Sequence, residues 1–545
     1  MSRIYWSKSA PTLVLSTLTA ALLVAFPHAH AEPSSRDVTA SGRDRVTLKR
    51  GNDYTSLTAT RGGLIRGSRV DVEGRSGELV RAIDGGKIEL TDTDISADRA
   101  SRHSHHLEQG PAVSASSDDG RHSRHRETEV SLKGGSVTTR ASNSPALQAS
   151  GRGATVSADG TRLKTLGSGS DVVKLRSGGT AELRNVSIES QGRGADGVAV
   201  QGNRSNATLY RTRIETRGAG ADGVEVTEGG QARVDRSAIK TSGTDAAGLR
   251  VDGRHSDAVL TRSEIRTRGT ASSAVEVSRG GDVEIEDSEL STTGAGGAGI
   301  RAEGSGSDVS VRKTQVRTSG SGAAGMALSD RAQANVSRSV VSTSGRGSDG
   351  VAVGSGAELR MSRSQIDTSG RDADGLSVRG NGSKAVVDDL KISTKGKDSK
   401  ALSVRDGGLA VVADSELSAS GENGVAAAVS GEGARAVIRD SVLSAEGRDG
   451  HALEIKSSGF AYLADSVAVG TLSGATVTGE GSMFVAKNSQ IEAKAEDDPH
   501  GRGRYRPASS TGLNVSKGGK AILLGGDVQA HSDDARGLGV SGKDS

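Results

Sequence analysis

The repeat that decides the fold reads, at residues 207–226, ATLYRTRIETRGAGADGVEV. In this segment apolar residues alternate with polar ones, as in Ala207-x-Leu209, and a period of two is typical of β-strands. Ile214 is followed four residues later by Gly218, and the same pair recurs along the chain at steps of 25 or 26 residues. The segment is therefore one copy of a repeated unit built from short strands.

Twelve consecutive copies share an apolar anchor with a glycine four residues after it. The anchors are Leu163, Ile188, Ile214, Ile239, Ile265, Leu290, Val316, Val341, Ile366, Ile392, Leu417 and Leu443. Looser copies extend the array from Val70 to Val528. A unit of about 25 residues cannot enclose a core alone, but coils stacked ~4.8 Å apart pair each strand with its copies above and below. The sequence therefore predicts an all-β fold, a single-stranded, right-handed parallel β-helix of about 18 coils.

Composition agrees with a thin solenoid. Only three Phe, five Tyr and one Trp occur among 545 residues, and there is no cysteine, so disulfides and cysteine-bound metals are excluded. The net charge of +3 gives no drive toward nucleic acid, and we expect no nucleic-acid partner. The glycine column indicates a corner that needs positive φ or close backbone approach. The inward Ser and Thr columns, such as Thr216 and Thr241, are expected to hydrogen-bond along the axis to the neighbouring coil.

The chain divides into three parts. Residues 1–31 have the features of a secretory signal peptide, with Arg3 and Lys8 before an apolar run and Ala29-His30-Ala31 as a small-x-small cleavage signal. Residues 32–44 are expected to be an N-terminal lead-in, and residues 45–545 the β-helix, with inserts near 98–128 and 494–511. No later stretch reaches the ~20 apolar residues that a membrane-spanning helix needs.

The two inserts contain the candidate binding residues. In the first, clustered imidazoles suit Zn²⁺, Cu²⁺ or Ni²⁺, and together with arginines they also suit a sulfated glycan; the third alternative is a solvated loop without function. These residues are His103, His105, His106, His122, His125, Arg102, Arg121, Arg124 and Arg126. In the second insert a tyrosine among arginines is typical of a contact loop or of a protease-sensitive linker. These residues are Arg502, Arg504, Tyr505 and Arg506.

Aspartates align between adjacent coils in two places, Asp196 with Asp222 and Asp349 with Asp374, each followed by glycine. Like charges ~4.8 Å apart repel, and a bound cation such as Ca²⁺ would relieve the repulsion. The favoured alternative is an Asp-Gly turn in which the carboxylate caps backbone N–H groups. Because no Ser/His/Asp grouping or aromatic sugar platform accompanies these residues, we expect no catalytic residues, no cofactor and no enzyme.

An export signal, a cysteine-free chain rich in Gly, Ser and Thr, and a long β-helix together resemble the passenger domain of a type V autotransporter of the pertactin kind. The opening Met1–Lys8 is similar to the start of the extended signal region in that family. The resemblance implies export through the periplasm and display at the outer membrane and cell surface, or secretion. We expect the family's translocator β-barrel not to be encoded in this chain, which departs from the family pattern.

The resemblance implies an adhesin or virulence-type binding protein that holds loops on a rigid rod. The expected partner is a host-cell surface, extracellular matrix or glycan. Two alternatives remain from the sequence. One is a β-helical polysaccharide lyase or hydrolase, and the other is a self-associating biofilm or structural surface protein.

Overall fold

The computed structural model describes residues 37–74, 77–97, 110–117, 127–494, 509–532 and 534–545. These residues form 54 β-strands and no helix, and every strand pairing between coils is parallel. The predicted right-handed parallel β-helix is confirmed. Lacking helices, the described part of the chain also lacks any helical segment able to cross a bilayer. The predicted signal peptide and most of both inserts lie outside the described residues.

Each regular coil contributes one strand to each of three ladders, which follow one another in the chain. The first ladder is a separate sheet of 20 strands, whereas the second and third share a sheet of 34 strands. The two ladders are joined because four long strands run through both of them. These are Glu358–Thr368, Lys384–Thr394, Met483–Lys494 and Lys520–His531.

The remaining strands belong to one ladder each. The first ladder contains Asp37–Ser41, Ser56–Thr60, Val80–Ile83, Val113–Ser116, Leu147–Ser150, Val173–Arg176, Val198–Gln201, Val224–Thr227, Leu249–Asp252, Val275–Ser278, Ile300–Glu303, Met326–Ser329, Val351–Gly354, Leu376–Arg379, Lys400–Arg405, Val425–Ser430, His451–Lys456, Ser473–Thr478, Thr511–Ser516 and Arg536–Ser541. The second contains Arg45–Thr47, Leu64–Ser68, Lys87–Thr91, Thr128–Lys133, Ala154–Asp159, Thr180–Arg184, Asn206–Tyr210, Gln231–Asp235, Asp257–Thr261, Asp282–Glu286, Asp308–Arg312, Gln333–Ser337, Leu409–Ala413, Arg435–Arg439 and Phe460–Ala464. The third contains Asp53–Tyr54, Asp71–Gly74, Asp94–Ala97, Ser136–Thr139, Arg162–Thr165, Ser187–Ser190, Arg213–Thr216, Ala238–Thr241, Glu264–Thr267, Glu289–Thr292, Gln315–Thr318, Val340–Thr343, Glu416–Ala419, Val442–Ala445 and Val467–Gly470.

The sequence columns correspond to the ladder registers. Ile214 pairs with Ile239, and Ile239 with Ile265, so the anchors stack in one column inside the third ladder. All three are buried, and the inward columns merge into one continuous core. The 20 strands of the first ladder agree with the prediction of about 18 coils. The solenoid begins earlier than residue 45, because Asp37–Ser41, in the expected lead-in, pairs with Ser56–Thr60.

The glycine column is required by close approach between coils and not by positive φ. A Cβ on Gly243 would lie 1.8 Å from the carbonyl oxygen of Gly218, and a Cβ on Gly269 would lie 1.7 Å from that of Gly243. Positive φ occurs instead two residues later, for example at Gly194 and Gly220. Of the two interpretations of this column, the structure selects close approach.

A second corner, directly after the second ladder, uses left-handed backbone at residues other than glycine, such as Arg236 with φ 48°. In most coils the residue after this corner is a buried serine or threonine, although Val186 and Leu390 are apolar exceptions. The N–H of Thr212 donates to Ser237 Oγ at 3.0 Å, and the N–H of Ser237 donates to Ser263 Oγ at 3.0 Å. In this column each hydroxyl oxygen accepts a hydrogen bond from the neighbouring coil, as predicted, and the buried N–H groups of the corner are thereby satisfied.

The Thr216 column behaves differently from the expectation. Thr216 Oγ1 donates to the carbonyl oxygen of Ala221 at 2.8 Å, and Thr241 Oγ1 donates to that of Ala246 at 2.9 Å. Both bonds lie within one coil, because the turn after the third ladder brings the carbonyl five residues ahead back over the hydroxyl. For these threonines the predicted bond along the axis was wrong.

Candidate functional site

The predicted aspartates lie just before strands of the first ladder, one per coil. The N–H of Asp222 donates to Asp196 Oδ1 at 2.7 Å, and the N–H of Ala247 donates to Asp222 Oδ1 at 2.6 Å. Asp171, which sequence alignment of the coils did not single out, accepts the N–H of Asp196 at 3.1 Å. Each carboxylate therefore caps a backbone N–H of the next coil, as the turn interpretation predicts.

Basic side chains neutralise two of these three carboxylates. Lys174 Nζ lies 2.7 Å from Asp171 Oδ2, and Arg250 Nε lies 2.5 Å from Asp222 Oδ2. Arg250 also reaches the next coil, where its Nη1 lies 2.9 Å from Glu276 Oε1. The described residues place no cation within ion-pair distance of Asp196, which stands between the two neutralised aspartates.

Burial dominates the acid–base behaviour of this cluster. Desolvation, followed by the charge of Asp222, raises the pKa of Asp196 well above its ordinary value. Desolvation also raises the pKa of Asp222, although Arg250 opposes the shift. Glu225, on the adjacent strand, has a pKa raised by burial and then by the charge of Asp222. The carboxyl group that lacks a cation, Asp196, is therefore the one that holds its proton most strongly.

The second aspartate pair repeats this arrangement. The N–H of Asp374 donates to Asp349 Oδ1 at 2.8 Å, and the N–H of Lys400 donates to Asp374 Oδ1 at 2.9 Å. Arg405 Nη2 lies 3.0 Å from Asp374 Oδ2. Asp349 has no cation at ion-pair distance among the described residues, and burial together with the charge of Asp374 raises its pKa to about 6.

The geometry indicates a structural role for these four aspartates. Their oxygens are used by N–H groups and by arginine or lysine, and Asp196, Asp222 and Asp374 are 7%, 4% and 6% exposed. Within the described ranges, no group of three or more His, Asp or Glu side chains is arranged to hold a metal ion. The arrangement stabilises turns between coils and offers little carboxylate surface to a ligand.

The remaining predicted binding residues lie outside the described residues and stay predictions. For the first insert they are His103, His105, His106, His122, His125, Arg102, Arg121, Arg124 and Arg126. For the second insert they are Arg502, Arg504, Tyr505 and Arg506.

The structure also reveals a basic groove that the sequence analysis missed. It runs along the turns that connect the first ladder to the second, has a volume of about 1340 Å³, and contains Arg152, Arg176, Arg204 and His255. All four side chains are exposed. The sequence pattern that could have identified them is a basic residue that recurs in the glycine-rich turn after the first strand of the coil.

Acidic residues in the groove are partly engaged by neighbouring amides. Gln201 Nε2 donates to Glu228 Oε1 at 3.0 Å, and Gln231 Nε2 donates to Asp257 Oδ2 at 3.4 Å. The groove therefore presents arginine charge to solvent on three consecutive turns, and the next two turns carry Glu228 and then His255 with Asp257.

Tyr210 forms a second exposed cluster on the outer face of the second ladder. The Arg211 guanidinium lies 5.1 Å from the centre of its ring, and Arg236 Nη1 donates to its hydroxyl at 2.9 Å. A ring held between two guanidinium groups is a cation–π arrangement, and it fixes both arginines at the surface.

Comparison with known proteins agrees with the architecture. Residues 151–316 match the family model described as a right handed beta helix region. The structure of the Vag8-C1 inhibitor complex contains a chain with 15% identity and a TM-score of 0.42, covering 93% of this chain and 99% of that chain. The PL6 family alginate lyase AlyGC has 8% identity and a TM-score of 0.23, with coverage of 93% and 100%. No curated protein matches the chain. Residues 151–316 are thus similar to right-handed β-helix regions in sequence as well as in fold.

Proposed function

We propose that this chain is an exported, surface-displayed rod of the autotransporter-passenger type, which binds an anionic glycan of a host surface or matrix along its outside. The observation that carries the proposal is the basic groove of Arg152, Arg176, Arg204 and His255. Its three arginines come from three successive coils, so their positive charges repeat at about 4.8 Å along the axis, and His255 lies two coils beyond Arg204. A linear polyanion offers charge at a comparable repeat and suits this open surface better than a compact ligand does.

The position of the first insert supports the same ligand. Residues 118–126 connect the strand Val113–Ser116 of the first ladder to Thr128–Lys133 of the second, which is the connection that forms the groove in later coils. Arg152 lies in the corresponding turn one coil further along. The described strands on either side of this segment therefore lie next to one end of the groove, and we propose that its arginines and histidines extend the same contact.

The experiment measures retention on heparin and binding to host cells by the full chain. Arg152→Glu/Arg204→Glu is expected to elute at markedly lower salt and to lose cell binding, because each lost phosphate- or sulfate-type contact reduces the salt dependence. Arg338→Glu/Arg363→Glu is the matched control, since both arginines are exposed but lie on another corner.

The insert is tested by Arg121→Ala/Arg124→Ala/Arg126→Ala, not by deletion of the whole region, because Val113–Ser116 is a strand of the first ladder. Binding should be stronger at pH 5.5 than at pH 7.5, because the imidazoles of the insert gain positive charge in acid. Equal elution of wild type, the groove variant, the insert variant and the control would contradict the proposal.

A further inference from the structure

The outer face of the second ladder changes character along the rod. Its middle outward column contains, in chain order, Arg233, Val259, Glu284, Ser310, Asn335 and Arg360, and then Val386, Val411, Val437, Tyr462, Val485 and Ile522. The first half is polar apart from one valine. The second half consists of six apolar or aromatic side chains on six consecutive coils, all on the outside of the solenoid.

The neighbouring outward column adds to this surface. In the same six coils it contains Lys384, Leu409, Arg435, Phe460, Met483 and Lys520. We call these twelve residues the apolar face. Ile522 is 43% exposed, and Phe460, Tyr462 and Val437 are half-buried. Six coils and one strand width give about 24 Å by 13 Å, or roughly 300 Å². Contiguous exposed patches of this size on soluble proteins are often interaction sites.

Charges of both signs border the apolar face on one side. Arg439 and Lys487 lie in the third outward column, and Asp414, Asp440 and Asp465 occupy the adjacent corner. Over the described part of the chain, Lys487, Arg439 and Asp414 make no ion pair. Lys487 and Asp414 are three coils apart, about 14 Å, too far to pair within one chain.

We infer that the apolar face binds a second copy of this chain, face to face and with the two rod axes antiparallel. The two copies are related by a two-fold axis that lies in the interface, parallel to the strands, between the coils of Val437 and Tyr462. Rotation about this axis reverses the order of the coils, so each outward column of one copy faces the same column of the second copy. Val437 then meets Tyr462 of the second copy, and Val411 meets Val485. In the neighbouring column, Leu409 meets Met483, and Arg435 meets the ring of Phe460, which is a favourable cation–π pair.

The same operation matches the border charges. Lys487 of one copy comes to the coil of Asp414 in the second copy, and Arg439 comes to the coil of Asp465. In the alternative, parallel arrangement the two-fold axis runs along the rod, so each coil faces its own copy and the two outer columns exchange places. Arg435 of one copy then lies opposite Arg439 of the other, and like charges across an interface lower the affinity. The antiparallel pair also sets Lys384 opposite Lys520 at each end of the face, which gives two like-charged contacts against four opposite-charged contacts at the border. The charges therefore favour the antiparallel pair on balance, and this inference does not depend on the glycan-binding function.

The area sets the strength. Two faces of roughly 300 Å² bury about 600 Å² in total, below the ~1,200 Å² of a stable interface, so association should be weak, reversible and dependent on concentration. Sedimentation velocity of the wild-type chain at increasing concentration is expected to show a monomer–dimer equilibrium.

The apolar contact is tested by Val437→Glu, which should raise the dissociation constant at least about tenfold. Val259→Glu is the matched control, because Val259 occupies the same outward column in the polar half of the ladder. Circular dichroism and the unfolding midpoint of both variants are measured in parallel, so that loss of dimer is separated from loss of fold. A wild type that stays monomeric at all concentrations, or a Val437→Glu variant that dimerises like the control, would overturn the inference.

Orientation is tested by charge exchange and by cross-linking. Lys487→Asp should weaken dimerisation, and Lys487→Asp/Asp414→Lys should restore it.

The chain has no cysteine, so Val386→Cys and Ile522→Cys introduce single thiols. A mixture of the two variants should form a disulfide-linked dimer on oxidation, whereas Val386→Cys alone should not, because its thiols lie about 24 Å apart in the antiparallel pair. Efficient cross-linking of Val386→Cys alone would overturn the antiparallel arrangement.

Discussion

Substitution of one glycine of the anchor column gives the sharpest test of the fold. In Gly345→Ala, the new Cβ would lie 1.9 Å from the carbonyl oxygen of Gly320 in the previous coil. Ordinary contact begins above 3 Å, so the two coils must separate by about 1 Å or more. Two bonds lie in the path of this movement. Ser344 N–H donates to Thr318 O at 3.0 Å, and Ser348 Oγ donates to Gly320 O at 2.8 Å.

The magnitude follows from these contacts. Each buried hydrogen bond that is left unmade costs about 1–3 kcal/mol, and overpacking a close contact costs a further ~1–3 kcal/mol. The expected loss of stability is therefore roughly 5 kcal/mol. Because each coil contacts only its neighbours, we expect the loss to be confined to a few coils around Gly345.

Hydrogen exchange measured by mass spectrometry is the appropriate assay, since a long solenoid does not unfold in a single two-state step. Peptides around residues 318–348 should lose protection in Gly345→Ala, while those from coils near residues 200 and 460 should not. Gly354→Ala is the matched control. Its Cβ would meet nothing nearer than Arg379 O at 3.8 Å, and its φ is not positive, so protection should be unchanged or slightly increased. Wild-type protection in Gly345→Ala would refute the close-approach argument.

Three further predictions concern the buried polar groups. Because the pKa of Asp349 is raised to about 6, its proton is held more tightly in the folded state than in the unfolded state, where the value is near 3.8. The protonated carboxyl therefore contributes about 3 kcal/mol to the free energy of unfolding below pH ~4, and this contribution is lost as the pH rises through 6. Asp349→Asn should match wild type at pH 4 and resist denaturant better than wild type at pH 8. Arg250→Gln leaves Asp222 buried without its cation and should destabilise the surrounding coils by roughly 3 kcal/mol, with partial recovery in Asp222→Asn/Arg250→Gln, measured by hydrogen exchange of the peptides around residues 222–250. Ser263→Ala removes the acceptor of the Ser237 N–H and should cost about 2 kcal/mol, seen as faster exchange of that amide; an unchanged rate would contradict it.

The fold was predictable because each coil repeats the same inward residues. Ile214, Ile239 and Ile265 were aligned by sequence spacing alone, and they are Cα partners in the structure. Strand alternation and repeat length together leave few other architectures. The left-handed corners were hard to predict, because Arg236, Arg262 and Arg338 favour other backbone conformations, although Asp or Asn occupies the same corner in other coils. There the stacked coil imposes a conformation that local propensity disfavours.

The candidate sites were predictable only in part. The aspartate columns follow from spacing, but the cation of Asp222 is Arg250, which lies 28 residues later at a position that is not basic in every coil. The apolar face was hidden for a different reason. In Leu409-Ala410-Val411-Val412 both the inward and the outward positions are apolar, so the period-two pattern disappears at the coils where the outer surface becomes apolar.

The hydrogen bonds between coils point along the rod, and this has a mechanical consequence. Tension applied to the two ends of the solenoid loads the terminal coils first, and their bonds open one after another instead of shearing together. Each coil that detaches releases about 25 residues, or roughly 85 Å of extended chain. A rod of this kind lengthens in steps under force, so that its inner coils stay folded while the terminal coils unwind.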